Sequence, residues 1–210
     1  MFSGLPRLYA VSMASWGRII GAYRPDVYIH SWDEPHVDRS LISQMLEMSF
    51  QPVQMRSDPL MDIDTSAFPD RHWPYVDVYR SLSMWHGIRR VHEMVKSSGK
   101  EYDIIIRSRT DLYIKRFEMV LFDGISLPFC HTKLDLRFSY RGRSMHGLND
   151  LLAYGSPAYM EEYVNSMDDI LPLYRDEGVD YCPENFLAAS LFRRGIPVYQ
   201  QPMQHQLIRG

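Results

Sequence analysis

Apolar residues change their spacing several times along the chain, and each change marks an element. Between Arg7 and Tyr23 the residues Leu8, Val11, Trp16, Ile19 and Ile20 fall near one face at helical spacing, and Arg24-Pro25 closes this first helix. Asp26-Val27-Tyr28-Ile29-His30-Ser31-Trp32 then alternates and is rich in β-branched and aromatic residues, which predicts a strand ending at Asp33-Glu34-Pro35. Leu41, Ile42, Met45, Leu46 and Met48 predict an amphipathic helix ahead of Pro52, and Val53 to Arg56 a short strand. From Ser57 to Pro74 periodicity fades among several Asp and Pro residues, so this stretch is expected to be a flap near the site.

The second half repeats the alternation of helix and strand. Val76 to Ser98 is the clearest helix, with Tyr79, Leu82, Gly87, Val91 and Val95 on one side and Gly99 placed to end it. Tyr102 to Arg107, with three consecutive isoleucines, predicts a strand buried on both faces. Further strands are expected at Ile125 to Cys130, Leu151 to Tyr154 and Ile196 to Tyr199, and the polar stretch from His131 to Gly147 as a loop or edge. Ser156-Pro157 opens a helix that should stop near Pro172, and Pro183-Glu184 opens a last one that stops at Gly195. Strands alternating with helices make this an α/β fold, and 210 residues fit one domain over 1–210 with no internal repeat.

Composition narrows the function classes. With 45% hydrophobic and 23% charged residues the chain can bury a core, and a net charge of -3 without a Lys/Arg stripe argues against a nucleic-acid partner. No run of about 20 apolar residues predicts a membrane span. Cys130 and Cys182 read as reduced thiols, which favours the cytoplasm. The start, Met1 to Arg7, does not have the pattern of a secretory signal.

The candidate chemistry lies where the isoleucine strand is expected to emerge, at Arg107-Ser108-Arg109-Thr110-Asp111. Ligands of open α/β sheets bind at that edge. Arginine forks donate paired hydrogen bonds to phosphate, and a neighbouring carboxylate can hold a hard divalent cation that bridges the same phosphates. A surface salt-bridge cluster explains the same residues equally well. No zinc spacing, nucleophile elbow or P-loop occurs.

Four segments in order, Phe2-Ser3-Gly4-Leu5-Pro6-Arg7, Asp26 to Asp33, Tyr102 to Leu112 and Asn149 to Ser156, followed by Pro183-Glu184, resemble a family of microbial and viral sugar transferases with the GT-A fold. The resemblance implies a three-layer sandwich with a mixed, mostly parallel central sheet flanked by helices. Its first strand is expected to be short or missing, since only Met1-Phe2 precede the loop.

The resemblance further implies a nucleotide-sugar donor of the uridine type, met by Ser3, Gly4, Arg7, Asp33, Arg107 and Arg109. It implies Mn²⁺ or Mg²⁺ at Asp111, which stands where the family has an Asp-x-Asp motif. Residue 109 is here Arg, so either Asp111 acts with waters and substrate phosphates or the arginines take the ion's place. Arg109 would stabilise the departing diphosphate and Asp150 would be the base for a glycan hydroxyl, or else a turn residue. Glu184 is read first as helix-terminal charge, and His205 as a late histidine that can ligate metal. A lipid-linked acceptor would bring the enzyme to the inner face of a membrane. A non-catalytic module that binds nucleotide or glycan is the alternative.

Overall fold

The computed structural model describes residues 1–3, 9–33, 52–68, 73, 76–129 and 136–207. The expected helix over 40–49 and the loop residues Gly4 and Arg7 lie outside them, as does Cys130. A seven-stranded sheet is built from β1 (Phe2–Ser3), β2 (Tyr28–Asp33), β3 (Gln54–Pro59), β4 (Ile105–Arg109), β6 (Ile125–Pro128), β9 (Leu152–Gly155) and β10 (Val198–Gln201), in the order β10-β6-β9-β4-β1-β2-β3. Only β9 runs against its neighbours β4 and β6 among these described pairings, so the sheet is mixed and mostly parallel, as expected.

Side chains alternate across this sheet and separate two cores. Tyr28, Ile105, Ile125, Leu127 and Ala153 face one side, where helices α2 (Val78–Ser97), α3 (Pro157–Asn165), α4 (Ile170–Arg175) and α5 (Pro183–Arg193) contribute Trp85, Ile88, Tyr163, Leu173 and Phe186. Phe2, Ile29, Leu152 and Tyr154 face the other side, against Trp16 and Ile19 of α1 (Tyr9–Tyr23). The same side carries a two-stranded ribbon of β5 (Leu112–Arg116) and β11 (Gln204–Leu207).

Several local readings shift. The isoleucine strand starts at Ile105 rather than Tyr102 and continues through Arg109, because Ser108 pairs with Phe2 and Leu152 and Arg109 pairs with Ser3. The two arginines therefore sit inside the strand. The polar stretch after 136 is a hairpin of β7 (Arg137–Tyr140) and β8 (Arg143–His146), joined through Arg141 at φ 50° and Gly142 at φ 73°, the positive-φ pair that a tight hairpin turn needs. Pro172 does not end its helix: it occupies the first turn of α4, where its missing N–H costs nothing. The expected flap is anchored at Phe68, which packs 5.0 Å from Tyr174 and 4.9 Å from Tyr181 in the core.

Candidate functional site

The chain proceeds β1, β2, β3 to one edge and then returns through α2 to place β4 on the other side of β1. Strand order thus reverses between β1 and β4, and the crevice outside the carboxyl ends of two such strands is where an open α/β sheet takes ligands. Ser3 and Arg109, the last residues of β1 and β4, are register partners at that point. Both face α2: the Ser3 Cβ lies 3.7 Å from a Cβ built on Gly87, and Arg109 Nη1 is 3.9 Å from Met84 Sδ. The Ser3 hydroxyl is buried and finds no hydrogen-bond partner among the described residues.

Arg109 donates from Nε and Nη2 to the two carboxylate oxygens of Asp111, each at 2.7 Å. The pair is largely sheltered, with side-chain exposures of 29% and 14%. Burial works against the guanidinium charge, and the bonds to Asp111 with the nearby charges of Asp150 and Glu184 more than offset it, holding Arg109 above its ordinary pKa.

Helix α1 fixes the turn that carries Asp111. Ser12 Oγ donates to the Thr110 carbonyl, Trp16 Nε1 donates to the Leu112 carbonyl at 3.2 Å, and Ser15 Oγ accepts from Ile114 N at 3.0 Å. Asp111 is therefore bracketed by two carbonyls tied to one helix. Such ties remove backbone freedom before any ligand arrives.

Asp150 is 7% exposed and precedes β9, in a segment with its own anchors. Leu148 N donates to the Glu184 carbonyl at 3.0 Å, and Leu151 N donates to Asn149 Oδ1 at 2.9 Å. Gly147 lets this segment pass against α5, for a Cβ there would stand 2.8 Å from Asn185 Oδ1 and 2.9 Å from the Glu184 Cβ. Glu184, read from the sequence mainly as helix-terminal charge, thereby joins the site. Burial first, and then the negative charge of Asp150, push its pKa up, while the Cys182 thiol, donating to Oε2 at 3.0 Å, and Arg109 pull it down.

The other expected residues divide. Arg107 is fully buried and donates from Nη1 to the Asp150 carbonyl, so it lies in the core beneath the carboxyl end of β4 rather than at that end. Asp33 ends β2 and accepts a hydrogen bond from Ser57 Oγ. His205 is carried by β11, which pairs with the strand following Asp111, and its Nε2 is 3.5 Å from Asn149 Nδ2. As placed, these residues do not fit a divalent cation. A guanidinium covers both oxygens of Asp111, and no metal-holding group of three or more His, Cys, Asp or Glu occurs among the described residues.

No family model and no curated protein matches the chain. Among solved structures it is similar to a nucleoside-diphosphate-sugar pyrophosphorylase from Vibrio cholerae, with a TM-score of 0.54, 9% identity, and coverage of 96% of this chain and 91% of that one. At this identity the likeness is one of fold. Among the described residues no helix is long and apolar enough to cross a membrane.

Proposed function

We propose that the chain is a glycosyltransferase that moves a sugar from a nucleotide-diphosphate donor, of the uridine type, to a hydroxyl of a glycan or glycoconjugate. The observation that carries this reading is the Arg109–Asp111 pair at the carboxyl end of β4, beside the strand-order reversal and facing Asp150 and Glu184. The fold likeness to a nucleoside-diphosphate-sugar pyrophosphorylase supports the same substrate class.

Transfer breaks the bond between the anomeric carbon and a phosphate oxygen, so negative charge grows on the departing diphosphate. Arg109 carries a permanent charge and a planar fork that can turn from Asp111 to phosphate oxygens as that charge develops. Asp111 keeps the fork oriented meanwhile. On the acceptor side, two carboxylates share one corner: Glu184, pushed up, holds a proton more readily, and Asp150 serves as the base that takes the hydroxyl proton of the acceptor.

The reading is tested by calorimetric titration of the protein with uridine, guanosine and cytidine diphosphates, repeated on Arg109→Met. Saturable binding of one nucleotide that is lost in the variant is expected. A folded wild-type protein that binds none of the three would overturn it. Incubation with nucleotide-sugar should then release nucleoside diphosphate; formation of pyrophosphate from a nucleoside triphosphate and a sugar phosphate would assign the chain to nucleotidyl transfer instead.

A further inference from the structure

Arg107 is among the largest side chains with no exposure at all, and it points to the same side of β4 as Ile105 and Arg109. An arginine cannot shed its proton in a protein, so this is a permanent charge inside the core. An aliphatic residue would pack there as Ile105 does one pleat away, without the cost of taking a charge out of water. Its Nη1 donates to the backbone carbonyl of Asp150, and its Nε and Nη2 find no partner among the described residues. Tyr163 Oη and Trp85 Nε1, from rings 5.7 Å apart in the same layer, are likewise buried without partners. Donors left over in this way in a core are usually met by ordered water.

We propose that Arg107 is a positioning residue for the acceptor side of the site: its buried guanidinium holds the Asp150 carbonyl and so sets where the Asp150 carboxylate stands relative to Arg109. The inference rests on the transferase reading for its consequence and on geometry for its substance. Residues 147–151 belong to no helix or strand, and Asp150 stands two positions before β9, which pairs with β4. β4 therefore acts twice on one corner. Arg107 fixes the backbone of Asp150 from within the core, and Arg109, two positions on at the end of β4, brings a charge near the Asp150 and Glu184 carboxylates. The arrangement separates donor binding, which falls to Arg109, from placement of the base, which falls to Arg107.

The experiment compares wild type, Arg107→Lys and Arg107→Met in the full chain, with near-ultraviolet circular dichroism confirming that each is folded. Amide hydrogen exchange is read over residues 148–152, and uridine diphosphate affinity and uridine-diphosphate-glucose hydrolysis are measured on the same samples. Exchange over 148–152 should rise about tenfold in Arg107→Met and less in Arg107→Lys, with the amides of β4 unchanged. Nucleotide affinity should stay within about twofold, while hydrolysis falls about tenfold or more in Arg107→Met and recovers in part in Arg107→Lys.

Unchanged exchange in a folded variant overturns the inference, and so does loss of nucleotide affinity in folded Arg107→Lys, which would make Arg107 a phosphate ligand. A wild type that binds no nucleotide removes the transferase reading alone, and the exchange result still decides the positioning role. Should Arg107→Met fail to fold, Arg107→Lys decides alone: unchanged exchange over 148–152 overturns the inference.

Discussion

Arg109 and Asp111, two positions apart on either side of the turn that ends β4, meet through two parallel hydrogen bonds of 2.7 Å. The pair closes a ring of its own at the carboxyl end of β4, so each residue conditions what the other can bind. Charge-assisted bonds of this kind are worth about 1.5–3 kcal/mol each when one partner is ionised. Asp111→Asn keeps the shape and removes the charge. It should lower stability by about 1–2 kcal/mol in urea unfolding, and Arg109→Met with Asp111→Asn should cost less than the sum of the two singles. Additive costs would mean that the two side chains do not hold each other in solution.

The same pair governs cation binding. A divalent ion reaching Asp111 has to share both oxygens with a guanidinium or displace it, a penalty of about 1–3 kcal/mol, or roughly fivefold to 160-fold in affinity. Mn²⁺ titrated into nucleotide-free protein should therefore give no saturable binding at micromolar concentration. Tight binding that disappears in Asp111→Asn would show that the pair opens freely and that Asp111 is a ready cation ligand.

Helix α1 should matter to the site without touching it. Trp16 donates to the Leu112 carbonyl and packs edge-on against Phe2, with ring centroids 5.0 Å apart. Trp16→Phe keeps an aromatic ring and takes this donor away from the buried Leu112 carbonyl, at an expected cost of about 1–3 kcal/mol in urea unfolding. Nucleotide affinity should weaken as well, because the Asp111 turn loses one of its two ties. Unaltered affinity in the destabilised variant would confine Trp16 to packing.

What the sequence made legible was whatever depends on local period. The helix read over Val76 to Ser98 is α2 over Val78–Ser97, since its apolar face and its glycine stop are both local signals. The reading failed where long-range pairing decides. Three isoleucines marked the buried strand, yet its polar continuation Arg107-Ser108-Arg109 is held in the sheet by β1 and β9, and no local pattern announces that. Local spacing consequently puts Arg107 at the edge, whereas the sheet holds it below. The β7–β8 hairpin was missed because Arg141-Gly142 is not among the usual Asn-Gly or Asp-Gly turns. Glu184 comes forward only in three dimensions, through the packing of α5 against Gly147 and Leu148, and β11 is invisible locally because it pairs with β5, about 90 positions earlier in the chain.

Stability should carry the signature of Glu184. Its carboxyl is raised above the ordinary 4.5 in the folded state, by burial and then by the charge of Asp150. Below the unfolded value both states hold the proton and Glu184 costs nothing. As pH rises through the window from 4.5 toward the raised folded value, the unfolded state ionises first, so the contribution of Glu184 to stability falls with pH. Glu184→Gln removes that fall. Urea unfolding of the two proteins should agree at pH 4 and diverge by pH 7, with the variant the more stable. A constant difference at every pH would mean that Glu184 titrates alike in both states.

At Gly147 the Asp150 segment packs against the amino end of α5. A Cβ at this position would meet Asn185 Oδ1 at 2.8 Å, the Glu184 Cβ at 2.9 Å and the Leu136 Cβ at 3.2 Å, three neighbours on two separate segments. Two of these contacts are to atoms next to the main chain, so rotating a side chain does not relieve them, and overpacking of this kind costs about 1–3 kcal/mol. The strain would be relieved by moving Leu148 away from the Glu184 carbonyl that its N–H binds at 3.0 Å, which carries Asp150 with it. Gly147→Ala should therefore lower stability by that amount in urea unfolding and lower turnover of a nucleotide-sugar more than it lowers nucleotide affinity. Equal losses in turnover and affinity would place the disturbance at Arg109 and not at the acceptor-side corner.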